Sequence, residues 1–153
     1  MLIKKLIELA DDTQLHVQSR NIGFTVARET FTKLVFRGFT VDFDLLEQMV
    51  SNLLDNAAKY GFKNTTVTIR AGLTRGERVY LSITNRGLLF GSGETEKCKQ
   101  RGYRSTQARL TATEGQGIGL WLVDQIMRAH GGELLIESPN AEGDTEVRLA
   151  FPR

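Results

Sequence analysis

The chain has 153 residues, with 20 Lys and Arg against 18 Asp and Glu and a formal net charge of +2. This near balance argues against a dedicated nucleic-acid binder, whose affinity depends on a strongly basic surface. Hydrophobic residues make up 41% and charged residues 25%, which excludes a disordered composition. One globular domain spanning residues 1–153 is therefore expected.

The cysteine content and the hydropathy of the chain indicate its cellular compartment. The single cysteine, Cys98, cannot form an internal disulfide, so nothing indicates an oxidising compartment. No apolar stretch reaches the roughly 18 residues of a membrane span, and the charged first ten residues lack the apolar core of a signal peptide. We expect a soluble, cytoplasmic chain that is not embedded in a membrane.

The first part of the chain predicts a short helix and a pair of strands. Apolar residues recur at helical spacing over residues 2–10, which favours an amphipathic helix. Residues 22–27 and 33–37 are short, rich in β-forming residues and bounded by polar residues or glycine, which indicates a strand pair.

A long helix and two further strands follow. Asp42 or Asp44 supplies an N-cap, and Gly61 supplies a C-cap after Tyr60. Residues 66–70 and 78–84 then predict strands joined by a glycine-bearing turn.

The last third begins with a long irregular segment. Residues 88–116 show no sustained period, and loops of this length in a compact domain are usually functional or disordered. A helix is predicted over residues 120–130 and strands over 133–137 and 145–151. About three helices and six strands imply an α+β fold, a two-layer sandwich with the helices on one face of a mixed sheet.

Polar residues interrupt the apolar face of the long helix. Asn56 falls inside the apolar arc, and Asn52 and Lys59 lie at its border. An unpaired buried amide costs about 1–3 kcal/mol, so these asparagines either bond neighbouring backbone or hold a ligand. Two amide oxygens and an ammonium group suit a Mg²⁺-phosphate group.

A glycine-rich loop precedes the second helix. Gly115, Gly117 and Gly119 allow close backbone approach to an anion, and the first turn of a helix favours phosphate. The loop lacks the Gly-Lys-[Ser/Thr] of a Walker A motif and the preceding strand of a dinucleotide-binding fingerprint. Both common phosphate-loop families therefore fit poorly.

Four separated motifs together resemble the ATP-binding catalytic domain of sensor histidine kinases, in the gyrase, Hsp90, histidine kinase and MutL superfamily. The resemblance covers nearly the whole chain and implies the Bergerat fold, ATP or ADP as ligand, and Mg²⁺. The motifs are Asn52-Leu-Leu-Asp-Asn56-Ala-Ala-Lys59-Tyr60, Asn85-Arg-Gly87, Gly115-Gln116-Gly117-Ile118-Gly119-Leu120 and Ala129-His-Gly-Gly.

The first motif implies four roles. Asn56 would coordinate Mg²⁺ through its side-chain oxygen, and Asn52 would support the same ion and the phosphates. Lys59 would contact phosphate, and Tyr60 would stack near the adenine.

The second motif departs from the family pattern, which begins Asp-x-Gly and binds the adenine amino group through the Asp. Here Asn85 can accept that bond without a charge, which weakens affinity and base selectivity. Gly87 keeps the first glycine of the motif, whereas Leu89 replaces the second and puts close backbone approach there in doubt.

The segment 90–114 resembles the family's ATP lid, within approximate bounds of 88–118. Its basic residues are either solvated charges or a clamp on the γ-phosphate, for which Arg104 is the best candidate. Thr145, in a Gly-Asp-Thr sequence, resembles a residue that borders the nucleotide, although an ordinary strand residue would look the same. The other basic lid residues are Lys97, Lys99, Arg101 and Arg109, and the loop residues expected to bind nucleotide are Gly115, Gln116, Gly117, Ile118, Gly119 and Leu120.

Other conspicuous residues have structural interpretations. Neither His16 nor His130 lies in a phosphoacceptor motif, and His16 has no acidic neighbour at useful spacing. Trp121 and Phe151 are expected in the core.

Three functions follow from the resemblance. The leading hypothesis is a protein-histidine kinase catalytic domain that transfers the γ-phosphoryl to a histidine on a separate dimerisation domain, with a response regulator downstream. A nucleotide-binding regulatory module or pseudokinase is the alternative, motivated by Asn85 and Leu89. A stand-alone ATPase ranks last, because Asn52 occupies the position of its catalytic Glu. We also expect an excised fragment, the cytoplasmic part of a longer dimeric sensor that is either membrane-bound or soluble.

Overall fold

The fold is a mixed five-stranded sheet covered by helices. A computed structural model describes residues 1–16, 20–34, 39–91, 93–110 and 117–153. The helices are α1 (Leu2–His16), α2 (Arg28–Thr32), α3 (Phe43–Tyr60), α4 (Glu94–Lys97), α5 (Thr106–Leu110) and α6 (Gly119–Ala129). The strands are β1 (Gly23–Val26), β2 (Thr66–Leu73), β3 (Val79–Asn85), β4 (Glu133–Glu137) and β5 (Thr145–Ala150).

The sheet has the order β1-β2-β3-β5-β4. Strands β1 and β2 are parallel, and the other neighbours are antiparallel. Alternate residues of the strands join α1, α3 and α6 in one apolar core, including the fully buried Met49, Val123, Met127 and Leu134. The predicted α+β sandwich with a mixed sheet is confirmed.

Helix α3 has the predicted bounds. Asp42 is its N-cap, and one carboxylate oxygen accepts hydrogen bonds from the N–H groups of Asp44 (3.0 Å) and Leu45 (3.1 Å). At the other end the N–H of Gly61 donates to the Ala57 carbonyl (2.9 Å), but Gly61 has φ −69°. Its conformation is therefore open to other residues, and the need for glycine there comes from packing.

His130 joins the two helices that carry the polar motifs. Its Nδ1 lies 2.8 Å from the carbonyl oxygen of Ile126, so this nitrogen must carry the proton. Its Nε2 then accepts a hydrogen bond from the backbone N–H of Asp42 (3.3 Å). The structural interpretation of His130 agrees with these contacts, which connect the end of α6 to the start of α3.

The two aromatic residues expected in the core differ in burial. Phe151 is fully buried and stacks on Phe39 with ring centroids 4.3 Å apart. The expectation for Trp121 is wrong: the ring is half-buried, and the guanidinium of Arg101 lies 5.3 Å from its centroid. Because α6 begins at the edge of the core, Trp121 in its first turn lies beside Arg101 and is only partly covered.

Two other sequence predictions need correction. Lys33 and Leu34 form a turn after α2, and residues 35–37 lie outside the described part of the chain. Strand β1 pairs in parallel with β2, and the described part of the chain contains five strands where six were expected. The segment predicted as irregular contains α4 and α5, which are too short to show a helical period in sequence.

No helix within the described ranges is both long and apolar enough to span a bilayer.

Candidate functional site

A cavity of about 300 Å³ lies between α3, the ends of β3 and β5, the start of α6 and the segment that contains α4 and α5. Gly87 is absent from its lining among the described residues, and Gly115 and Gln116 lie outside the described part of the chain. The remaining predicted site residues all line it: Asn52, Asn56, Lys59, Tyr60, Asn85, Arg104, Gly117, Ile118, Gly119, Leu120 and Thr145.

One wall is the polar face of α3. Asn52, Asn56, Lys59 and Tyr60 lie one to two helical turns apart and so share a face. The ammonium of Lys59 lies 5.6 Å from the centroid of the Tyr60 ring. Neither asparagine side chain forms a hydrogen bond with any other described residue. Within the described ranges, the asparagines therefore do not bond neighbouring backbone, which was the alternative to ligand binding. Their amides are available to a ligand.

The start of α6 lies against that face. A Cβ placed on Gly119 would be 3.6 Å from Nδ2 and 3.7 Å from Oδ1 of Asn56. Ile118 at the N-cap position makes no side-chain capping bond, and the first turn of α6 contains no acidic residue. The first N–H groups of a helix lack intrahelical acceptors. Together with the helix dipole, they favour an anion at this point.

The opposite wall is formed by the ends of two strands. Asn85 ends β3, is 9% exposed and pairs in register with Thr145 of β5. The Asn85 amide has no hydrogen-bond partner within the described ranges, whereas the Thr145 hydroxyl lies 3.0 Å from Ser138 Oγ. Apolar Ile83 and Val147 also line this wall. An apolar surface with one nearly buried, unpartnered amide suits a planar heterocycle that has a polar edge.

Gly87 joins the end of β3 to the end of α3. The N–H of Leu88 donates to the Tyr60 carbonyl (2.9 Å), and Gly87 forms a bridge with Gly61. A Cβ at Gly87 would stand 2.8 Å from the Cα of Gly61. Gly87 therefore sets the spacing of the two walls without lining the cavity. Leu89 also lies outside the lining, and its N–H donates to Gln107 Oε1 (2.9 Å).

One of the five basic residues of the segment expected to form the lid lines the cavity. Arg104 lines the cavity and donates from Nη2 to the Ala108 carbonyl (3.1 Å). Lys99 pairs with Glu96 (2.8 Å), and the guanidinium of Arg109 lies 5.8 Å from the Tyr103 ring centroid. Lys97, Lys99, Arg101 and Arg109 are not in the lining, so Arg104 is the basic lid residue placed to meet a ligand.

Sequence reasoning missed several lining residues of the lid. Sequence analysis could have found Tyr103, since it directly precedes Arg104 in the chain. Cys98 is 3% exposed, and burial, assisted by the negative charge of Glu94, raises the pKa of its thiol to about 12. Phe90, Ser105 and Ala108 gave no signal in sequence, because only the folded lid brings them to the cavity.

Asp55 also lines the cavity, next to the two asparagines of α3. Burial raises the pKa of its carboxyl, and the charge of His16 opposes that shift. His16 thus interacts with an acidic group that sequence spacing did not predict. Within the described ranges, no group of three His, Cys, Asp or Glu side chains could hold a metal ion. A cation here would depend on amide oxygens and on the ligand itself.

Comparisons with known proteins identify the family of this chain. The family described as "Histidine kinase-, DNA gyrase B-, and HSP90-like ATPase" matches residues 41–153. The probable sensor protein PcoS of Escherichia coli is 39% identical over 134 residues, which cover 85% of this chain and 28% of that protein. The sensor histidine kinase WalK of Bacillus subtilis is 30% identical over 106 residues, covering 69% of this chain and 17% of WalK.

Solved structures share the fold. The mycobacterial sensor histidine kinase MprB matches with a TM-score of 0.77 at 22% identity, covering 99% of this chain and 95% of that one. Full-length ShkA in complex with AMPPNP matches with a TM-score of 0.72 at 18% identity, covering 99% of this chain and 31% of that one. The chain spans less than a third of the length of the curated relatives it matches.

Proposed function

This chain belongs to the family of histidine kinase-, DNA gyrase B- and HSP90-like ATPases, and from that premise we propose that it is the ATP-binding catalytic domain of a protein-histidine kinase. It binds Mg²⁺-ATP and transfers the γ-phosphoryl group to a histidine on a separate dimerisation domain of the same or a partner kinase. A response regulator then receives the phosphoryl group, as in two-component signalling. This assignment places the chain in the cytoplasm.

One observation carries the proposal: the uncapped start of α6 meets the free amides of Asn52 and Asn56. A helix N-terminus attracts phosphate oxygens, and amide oxygens on the facing helix are ligands for a hard cation. The combination suits a triphosphate with its metal better than it suits either alone. Lys59 also lines the cavity and adds a positive charge.

Mg²⁺ fits the donor set. This ion keeps several waters and is held by one or two protein oxygens together with substrate phosphates. Asn56 would supply its side-chain oxygen, and Asn52 would support the ion and the phosphates. When bound, the metal would neutralise charge on the phosphates, while this chain's own residues position them.

The base would lie at the opposite end, on the apolar wall beside Asn85. The amide oxygen of Asn85 would accept a hydrogen bond from the adenine amino group, and Tyr60 would lie near the ring. Thr145 would border the nucleotide, and Gly117, Ile118, Gly119 and Leu120 would follow the phosphates. Arg104 would contact the γ-phosphate from the lid, which we assign to residues 88–118.

The acceptor histidine must come from outside this site. His130 is held between Ile126 and Asp42, and neither it nor His16 is among the residues that line the cavity. Phosphoryl transfer depends mainly on positioning and charge stabilisation. The described lining supplies an ammonium, a guanidinium and helix N–H groups, and the residue at the position of a hydrolytic Glu is the amide Asn52.

Calorimetric titration with a non-hydrolysable ATP analogue tests the binding site. We expect a dissociation constant between micromolar and sub-millimolar, about −8 to −4 kcal/mol, that weakens without Mg²⁺. Asn56→Ala should weaken binding about tenfold or more in Mg²⁺ and less without it. Gln48→Ala, on the exposed side of the same helix, is the matched control and should bind as wild type does.

A transfer assay tests the reaction. The chain is mixed with Mg²⁺-ATP and a panel of dimerisation domains, and acid-labile phosphohistidine is measured. Binding without transfer to any of them would instead support a regulatory nucleotide-binding module. Rapid ATP turnover by the chain alone, abolished by Asn52→Ala, would support an ATPase.

A further inference from the structure

The lid contains a carboxylate that the nucleotide site does not use. Glu94 is 7% exposed and is absent from the cavity lining. One of its oxygens accepts hydrogen bonds from the Tyr103 hydroxyl (3.2 Å), the Thr106 N–H (3.0 Å) and the Thr106 hydroxyl (2.5 Å). The other accepts from the Gly91 N–H (2.9 Å). A single side chain thus joins the start of the lid, the loop before α5 and α5 itself.

These bonds hold the chain at the lid residues that line the cavity. Tyr103, Arg104 and Ser105 line the cavity. They are consecutive in the chain, and Glu94 bonds the first of them, Tyr103, and the residue that follows them, Thr106. Short helices such as α4 and α5 cannot hold themselves together, because helix formation requires several turns. Hydrogen bonds to a charged acceptor are stronger than neutral ones. The position of Tyr103 and Arg104 therefore depends on contacts such as those of Glu94.

We propose that Glu94 is a positioning residue for nucleotide binding: its carboxylate joins three segments of the lid and thereby holds Tyr103 and Arg104 against the cavity. This inference rests on the proposed function for its consequence, the affinity for nucleotide. The order of the lid itself can be measured without any nucleotide.

Cys98 is a native reporter of lid order. It is the only cysteine in the chain, it belongs to the lid segment and lines the cavity, and it is 3% exposed. Alkylation of its thiol by iodoacetamide therefore requires local opening. We expect Glu94→Gln to increase the alkylation rate of the nucleotide-free chain about tenfold or more, because the amide nitrogen of Gln would oppose the Gly91 N–H.

Thr106→Val separates lid opening from a change in thiol chemistry. Glu94→Gln also removes a negative charge that raises the pKa of Cys98, which by itself would increase reactivity. Thr106→Val keeps that charge and removes only the hydroxyl bond, so faster alkylation in this variant reports opening. The matched controls are Thr95→Val, in the same short helix as Glu94, and Glu142→Gln, an exposed carboxylate outside the lid.

The outcomes are distinct. The proposal predicts faster alkylation and weaker binding of the ATP analogue in Glu94→Gln and Thr106→Val, with the controls close to wild type. Urea unfolding measures global stability, which a lid effect should change much less than it changes alkylation. Equal alkylation in all five proteins, or equal acceleration in the controls, would overturn it. If no variant and no wild type binds nucleotide, the proposed function fails, while alkylation still decides whether Glu94 orders the lid.

Discussion

The guanidinium of Arg20 donates a 2.9 Å hydrogen bond to the backbone carbonyl of Lys59, in the last turn of α3. It also bonds the carbonyls of Ala58 (2.7 Å) and Gly61 (2.5 Å). These carbonyls lie where a helix runs out of intrahelical donors, and a cation there also complements the helix dipole. Arg20 thus fixes the turn that carries Lys59 and Tyr60 into the cavity.

Arg20→Ala should lower the free energy of unfolding by about 1–3 kcal/mol, because it leaves several partly buried carbonyls without their charged donor. Nucleotide affinity should fall as well, since the turn that carries Lys59 loosens. Arg20→Lys should recover only part of the loss, because an ammonium lacks the planar fork. Urea unfolding and calorimetry measure both effects. Arg75→Ala, in an exposed turn, is the control, and equal stability of the two alanine variants would contradict the prediction.

Gly87→Ala should disturb the junction between the two walls of the cavity. The added Cβ would stand 2.8 Å from the Cα of Gly61, so the backbones must separate, at a cost of about 1–3 kcal/mol typical of overpacking. We expect lower stability and weaker binding of the ATP analogue, although Gly87 does not line the cavity. Gly76→Ala is the control, because its added Cβ would come no closer than 3.8 Å to Thr74 Oγ1. A Gly87→Ala protein with wild-type stability and affinity would show that this junction does not set the cavity.

Most of the sheet and the long helices could be predicted from the sequence, because each has a local signal. Asp42 gives the N-cap of α3, and the alternating pattern gives β2 and β3. The polar stripe of α3 and the glycines before α6 likewise located two walls of the cavity. Such signals lie within short stretches of the chain, so they can be recognised in the sequence before the fold is known.

The rest depended on contacts between distant residues. Glu94 looks like one more solvated charge in a basic loop, and only the folded lid brings Tyr103 and Thr106 to its carboxylate. Trp121 looks like a core residue, yet its ring faces Arg101. The partner of β1 could not be predicted for a related reason: β-propensity does not specify a partner, and β1 pairs with β2.

Asn85→Asp should tighten the binding of adenine nucleotides. A carboxylate at the same place would accept the bond from the adenine amino group as an anion, and such bonds are worth about 1 kcal/mol more than neutral ones, or about fivefold in the dissociation constant. Calorimetry with ADP and GDP measures the effect. The dissociation constant of GDP divided by that of ADP should increase, because guanine presents an acceptor in place of that amino group. Asn85→Ala should bind ADP more weakly than wild type does. If the ratio of the GDP and ADP dissociation constants is unchanged in Asn85→Asp, the base does not contact residue 85.

The pH dependence of stability should depend on Glu94. Hydrogen bonds from Thr106 and Gly91 lower the pKa of its carboxyl from 4.5 to about 2. A carboxyl whose pKa is lowered by folding adds stability that is complete above its unfolded pKa and is lost as the pH falls towards the folded value. The difference in unfolding free energy between wild type and Glu94→Gln should therefore be constant from pH 7 to about 5.5 and shrink below about 4.5. The neighbouring Tyr103 and Cys98 both have raised pKa values, so neither changes charge in this range. Urea unfolding of both proteins between pH 7 and 3 measures the difference, and a difference that does not vary with pH would mean that Glu94 acts through packing and not through its charge.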